Sequence, residues 1–216
     1  MTDVTSDPDS HPDSHPDSHP HSKIRRIAPR TRPRADIIIL EWNRPDATIA
    51  AICSALAQTG VERTIWVVDQ GSEPANRARL AAFCRDQPAV HVHQLERNVG
   101  VAAGRNIASR LGTAPYIISL DNDAIFPDEG CVARALAHFE TQPRLAAVAF
   151  RIVDAESGSE EPYWDYPLAH LHSQRRWFEV TRFLGGGYGV RRSAFERAGG
   201  YDDQLFFGGE ERDIAW

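Results

Sequence analysis

The chain is short of cysteine, of basic excess and of long apolar runs, and each shortage removes a class of protein. Its cysteines, Cys53, Cys84 and Cys131, stand far apart with no C-x-x-C pair. An odd count without metal-ligand spacing excludes a disulfide-framed secreted domain and points to a reduced, cytoplasmic chain. Lysine and arginine number 24 against 30 acidic residues, which argues against a nucleic-acid partner. No apolar run reaches the roughly 18 residues of a membrane span. The polar residues from Thr2 onward leave no apolar signal core.

Apolar residues are also scarce at the start, where Met1 and Val4 are the only ones before residue 23. The unit D-S-H-P repeats at Asp9–Pro12, Asp13–Pro16 and Asp17–Pro20. Such a segment has nothing to bury and is expected to be disordered. His11, His15, His19 and His21 offer weak transition-metal binding as the lesser alternative. Lys23 to Arg34 then turns basic around Pro29 and Pro33. It reads as a solvated linker, with contact to the anionic inner face of the cell membrane as the alternative. The expected division is a tail and linker over 1–34 and a folded domain over 35–216.

From Asp36 the chain alternates. Ile37 to Leu40 is a continuous apolar strand, buried on both faces. Asn43-Arg44-Pro45 turns into a helix with Asp46 as the expected N-cap and Gly60 as the expected C-terminal cap. Ile49, Ile52, Cys53 and Leu56 form its apolar stripe. Thr64–Val68 is a second strand, ending in Asp69-Gln70-Gly71-Ser72. Leu80, Phe83 and Cys84 mark a helix, and Val90–Leu95 a third strand. Asn98-Val99-Gly100 opens a helix to Leu111. Further segments are a strand over Tyr116–Leu120, a helix over Asp128–Phe139 and a strand over Leu145–Val153. This βαβ spacing predicts an α/β sandwich of Rossmann type, with a mostly parallel central sheet.

After Asp154 the periodicity fades. Tyr163, Trp164, Tyr166, Trp177 and Phe178, with His170, His172, Arg175 and Arg176 among them, suit a carbohydrate or nucleotide pocket and equally suit core packing. Gly185-Gly186-Gly187 allows close backbone approach. A short helix over Arg191–Ala198 and a loop over Tyr201–Gly209 lead to Glu210-Glu211-Arg212-Asp213.

The stretch Tyr116–Phe126, YIISLDNDAIF, organises the rest. If it stays extended, Asp121 and Asp123 place two carboxylates on one side of a strand end. Ligands of open α/β sheets sit beyond such ends, and two hard oxygen donors suit Mg²⁺ or Mn²⁺ carrying a diphosphate. Alone, the same residues also read as a plain turn.

In order, the chain carries RPDAT after strand one, VVDQGS ending strand two, ERNVGVAAGRN opening the third helix and SLDND ending the fourth strand. FLGGGYGVRRSAFERAGGYDD then leads to FFGGEERDIAW. This ordered set, over about residues 35–216, resembles the family 2 glycosyltransferases of the GT-A fold. The resemblance implies transfer of a sugar from a nucleotide-diphosphate donor to an acceptor hydroxyl with inversion. It implies Mn²⁺ or Mg²⁺ on Asp123 and Asp121. Asp69 would face the donor base, and Asn43, Asn98, Gly100, Arg105, Asn122, Gly186 and Gly187 would line the nucleotide sugar. Asp69 can accept the imide N–H of uracil or thymine, favouring UDP or dTDP. Glu211 aligns with the family's catalytic base, with Glu210 next and Asp213 third. The acceptor is open among a polysaccharide end, a lipid-linked glycan, a protein and a small metabolite.

Three departures stand out. Gln70 replaces the usual Asp or Asn. Glu41 stands where a small or hydroxylic residue is usual, and it is expected to point away from a diphosphate or toward the base. The family continues beyond the Glu210–Asp213 motif, so part of the acceptor side is expected to be missing. A pyrophosphorylase of the same fold would show a Gly-rich loop after strand one, and EWNRPDAT has none. The rival of another class is a truncated, non-catalytic nucleotide-sugar binder or regulatory protein.

Overall fold

Strand β1 (Arg34–Glu41) is the hinge of the architecture, because its side chains feed two separate cores. Ile37 and Ile39 point to one face and Ile38 to the other, the period-2 alternation of an extended chain. The remaining elements are α1 (Pro45–Leu56), β2 (Glu62–Asp69), α2 (Pro74–Cys84), β3 (Val90–Gln94), α3 (Val101–Leu111), β4 (Tyr116–Leu120) and α4 (Cys131–Thr141). They continue with β5 (Ala147–Ala149), β6 (Gly187–Arg191), α5 (Arg192–Arg197) and α6 (Glu210–Ile214). The computed structural model describes residues 31–159, 183 and 185–214. The histidine repeat, the linker as far as Arg30 and the aromatic segment from Tyr163 to Phe178 lie outside the described residues.

The six strands lie in the order β3-β2-β1-β4-β6-β5. β1 pairs in parallel with β2 and β4, and β2 with β3. β6 runs antiparallel between β4 and β5. The expected mostly parallel sheet is therefore present, with one reversed strand that periodicity alone did not reveal. α1, α2 and α4 pack on one face through Ile52, Leu80 and Leu136. α3 and α5 cover the other through Ala102, Ala108 and Phe195. No described helix is long and apolar enough to cross a membrane.

Several boundaries move for local reasons. Asp46 does not cap α1: Arg44 is the N-cap residue and Asp46 lies in the first turn, paired with Arg79. Gly60, with φ of 73°, lies past the helix end, which the Arg63 guanidinium closes by donating to the Leu56 carbonyl. α4 begins at Cys131 rather than Asp128, because Asp128 accepts the Gly130 N–H at 2.8 Å and forms a turn. The strand expected over Leu145–Val153 is cut to Ala147–Ala149.

At the amino end of the sheet, Asp36 is buried and accepts from Trp66 Nε1 (3.1 Å), Ala114 N–H (2.7 Å) and Arg192 Nη2 (2.7 Å). A buried carboxylate needs this full set of partners. Replacing it by alanine leaves the Arg192 charge and the Ala114 N–H without their acceptor. Asp36→Ala is therefore expected to lower stability by about 3–5 kcal/mol, read as a fall in the urea midpoint.

Candidate active site

Because β1, β2 and β4 are parallel and β6 is reversed, their carboxyl ends and the start of β6 meet at one edge of the sheet. Glu41 and Asp69 end β1 and β2 in register. Asp69 is buried, with Oδ1 accepting the Ser72 N–H at 2.8 Å and Oδ2 lying 3.6 Å from Arg77 Nε. Gln70 turns back and accepts the Val99 N–H at 3.3 Å. Asn43 has φ of 56°, a left-handed conformation that asparagine tolerates better than most residues. Its Oδ1 accepts from Glu73 N–H at 2.7 Å and Asn76 Nδ2 at 3.0 Å.

The Asp121–Asp123 segment is a turn and not a continuation of the strand, since the Ala124 N–H donates back to the Asp121 carbonyl at 3.1 Å. Strand alternation therefore does not set its carboxylates, contrary to the expectation of an extended pair. Asp121 Oδ1 meets Arg105 Nη2 at 2.8 Å, and Asp123 Oδ2 meets Arg44 Nη1 at 2.9 Å. The two side chains remain 43% and 58% exposed. Asn122 donates to Glu41. Gly186 offers its carbonyl to the Asp121 N–H at 3.3 Å. Gly187 is buried in β6, where a Cβ would crowd Phe150.

Arg105 is the hub. Its side chain on α3 is only 4% exposed, so it is not a surface cation. Beyond Asp121, it donates to the Gly185 carbonyl at 2.9 Å, to Glu210 Oε1 at 3.3 Å and to Glu211 Oε1. Burial works against its charge, but Tyr188, Asp121, Tyr201 and Glu211 together hold the guanidinium protonated above its ordinary range. Its Cζ also lies 5.4 Å from the Tyr188 ring centre, within cation–π range. A Cβ at Gly185 would meet the Glu211 carboxylate, which would have to shift.

Helix α6 brings Glu210 and Glu211 to Arg105, while Asp213 stays on its exposed side. Glu210 Oε2 is buried with no hydrogen-bond partner among the described residues. Desolvation raises the Glu210 carboxyl above the usual range, and the neighbouring Glu211 charge adds to this. Burial likewise raises Asp121, against the pull of Arg105.

Asn98, Gly100 and Asn106, from the ERNVGVAAGRN stretch, serve the loop before α6. Asn98 Oδ1 accepts the Gly100 N–H at 2.8 Å. Gly100 has φ of 90°, and a Cβ there would lie 2.5 Å from the Phe206 carbonyl oxygen. That carbonyl accepts the Val101 N–H at the start of α3. Asn106 clamps the same loop, bonding the Tyr201 carbonyl at 2.8 Å and the Tyr201 N–H at 3.0 Å. Sequence reading missed this docking and the role of Glu41. For Glu41 the available signal was an acid four residues ahead of a helix start.

Among the described residues, no group of three or more His, Cys, Asp or Glu side chains could hold a metal. Asp121 and Asp123 supply two hard donors that are partly open to solvent. They would suit a divalent ion whose remaining ligands come from outside the chain, such as water, and do not fit a fully caged one.

A family model described as Glycosyl transferase family 2 matches residues 36–199. The succinoglycan biosynthesis protein ExoO of Rhizobium meliloti is 35% identical over 97 residues, covering 44% of this chain and 27% of that protein. An uncharacterized glycosyltransferase of Rickettsia conorii is 34% identical over 94 residues, covering 43% and 15%. Each match thus spans little more than a quarter of the relative's length, or less. The fold matches the mannosyltransferase PcManGT of Pyrobaculum calidifontis, solved in complex with GDP-Man and Mn²⁺, with a TM-score of 0.67 at 19% identity. That likeness covers 86% of this chain and 51% of that one. TarS (residues 1–349) of S. aureus gives 0.64 at 15% identity, covering 84% and 54%. At these identities the likeness is one of fold, the GT-A sandwich. The family match, over most of the described sheet and its crevice, makes this chain a member of glycosyl transferase family 2.

Proposed function

We propose that residues 35–216 belong to the catalytic domain of an inverting, divalent-metal-dependent glycosyltransferase, with residues 1–34 as its tail and linker. The observation that carries this reading is Arg105, which gathers Asp121 from the donor-side turn and Glu210 and Glu211 from α6 into one crevice. Asp69 faces the base of a nucleotide-diphosphate sugar, with UDP or dTDP favoured because one carboxylate oxygen suits a single imide N–H. Asn43, Asn98, Gly100, Arg105, Asn122, Gly186 and Gly187 frame the remaining donor. Mn²⁺ or Mg²⁺ on Asp123 and Asp121 would neutralise the charge that develops on the departing diphosphate.

Glu211 takes the proton from the acceptor hydroxyl as that oxygen attacks the anomeric carbon and the bond to the diphosphate breaks. Glu210 orients the sugar, and Asp213 is the third carboxylate of the motif. The acceptor is a glycan, lipid-linked glycan or protein hydroxyl. The setting is cytoplasmic, with the basic stretch as a solvated linker and its contact with the inner face of the membrane as the alternative.

One observation favours a non-catalytic binder instead: Asp121, Asp123 and Glu211 are each already paired with an arginine. Release of UDP from a UDP-sugar separates the two readings without knowledge of the acceptor. Calorimetric titration with UDP, dTDP and GDP, with and without Mn²⁺, tests the donor. GDP is included because the structural neighbour carries GDP-Man. Asp123→Ala is expected to remove the metal enhancement, a loss of about 1.5–3 kcal/mol, and Asp121→Ala to reduce it. Absence of metal-enhanced binding of every nucleotide would overturn the reading.

A further inference from the structure

Glu41 ends β1 with only 1% of its surface exposed. A carboxyl group buried so deeply is costly unless its oxygens are satisfied. Here they are. Oε1 accepts the Arg44 backbone N–H at 2.7 Å, and Oε2 accepts the Thr48 hydroxyl and the Asn122 side-chain amide, the latter at 3.3 Å. The first two contacts close the start of α1. The third leaves that element and reaches the middle residue of the Asp121–Asp123 turn, 81 positions along the chain.

A second route runs to the same turn. Arg44, whose N–H is fixed by Glu41, sends its guanidinium to Asp123 at 2.9 Å. The connection between β1 and α1 is itself pinned on its other side, where the Asn43 N–H donates to Ser72 Oγ at 2.9 Å. Glu41 therefore bonds the middle residue of the turn directly and fixes the backbone of Arg44, whose exposed guanidinium pairs with Asp123.

We infer that Glu41 is a positioning residue, whose buried carboxyl shapes the Asp121-Asn122-Asp123 turn before any metal or diphosphate arrives. The inference rests on the proposed reading of that turn as the metal and diphosphate site. Two like charges two residues apart repel each other, so a turn left to itself would spread them. The tie to Asn122 resists that spread without lending a third negative charge to solvent, because Glu41 is enclosed. A simple helix cap would explain the contacts to Arg44 and Thr48 but not the one to Asn122.

The test compares the full chain with Glu41→Ala and Glu41→Gln. Amide hydrogen exchange without ligand reports the turn directly, through the bonded N–H groups of Asp121, Ala124 and Phe126. Titration with UDP and Mn²⁺ reports its use. Alanine is expected to speed exchange over 121–126 and to weaken metal-dependent UDP binding, each by about tenfold, the scale of one lost hydrogen bond to a charged group. Glutamine keeps an acceptor for Arg44 and can face a flipped Asn122 amide, so it should restore most of both. Faster exchange confined to 44–50, with 121–126 unchanged, would reduce Glu41 to a helix cap and overturn the proposal. Should the parent bind no nucleotide, the transferase reading fails, while the exchange result still decides the role of Glu41. If Glu41→Ala does not fold, Asn122→Ala cuts the same tie from its accessible side, and unchanged exchange at Ala124 and Phe126 there also overturns the proposal.

Discussion

Glu211→Gln is expected to lower transfer by about 10²–10⁴, the usual scale of general-base catalysis, while leaving donor and metal affinity close to those of the parent. The substitution preserves size and hydrogen bonding but removes the charge that accepts the proton. In the structure Glu211 and Glu210 both approach Arg105, with side chains 12% and 5% exposed. The more accessible Glu211 is better placed to meet an acceptor, and the enclosed Glu210 to orient a sugar. Glu210→Gln should therefore retain more turnover. Steady-state rates with saturating donor distinguish the two. A larger loss in Glu210→Gln moves the base to Glu210, and equal retention in both moves attention to Asp213. Donor affinity measured in parallel separates loss of the base from loss of the site.

The second large effect belongs to Arg105. Arg105→Met keeps much of the aliphatic length and packing against Tyr188 but leaves Glu210 and Glu211 facing each other without a countercharge. Breaking a buried pair from one side costs about 3–5 kcal/mol. The Asp121 share is smaller, because that carboxylate is 43% exposed and screened by solvent. Urea denaturation should show the fall in stability, with unfolding led by the segment around α6. Arg105→Lys should recover only part of it, since one ammonium cannot reproduce the fork that reaches Asp121, Gly185 and Glu211 together. A variant as stable as the parent would mean that the carboxylates find other partners.

The sheet was legible because buried parallel strands write themselves as apolar runs. Ile37–Leu40 and Tyr116–Leu120 announce β1 and β4 without help from neighbours. The reversed β6 was not legible, since Gly187-Tyr188-Gly189-Val190 is too glycine-rich to show a period, and its place depends on pairing with β4. The Glu210–Asp213 motif was found by its order along the chain, yet its meeting with Arg105 could not be. That contact joins residues about a hundred positions apart, and no local pattern encodes it. Asp121 and Asp123 were singled out on an extended backbone that the chain does not keep, because an i, i+2 argument holds only while the strand continues. Glu41 was noticed as a departure, and only burial explained where its carboxyl goes.

The pairing of Arg105 with partners from three separated segments has a consequence for biosynthesis. α3 and β4 leave the ribosome early, and the chain can close the bond from Arg105 to Asp121 across only 16 positions. Glu210 and Glu211 follow Arg105 by 105 and 106 positions. At about 5–20 residues per second, that interval is on the order of 5–20 s. During it the guanidinium has one carboxylate where the finished protein has three. The crevice is therefore completed later than strands β1–β4, and a nascent chain should carry those strands with an open, hydrated site. Pulse-labelled chains arrested before Glu210 should resist protease across β1–β4 while remaining cleavable near Gly185, and gain protection there only when α6 emerges.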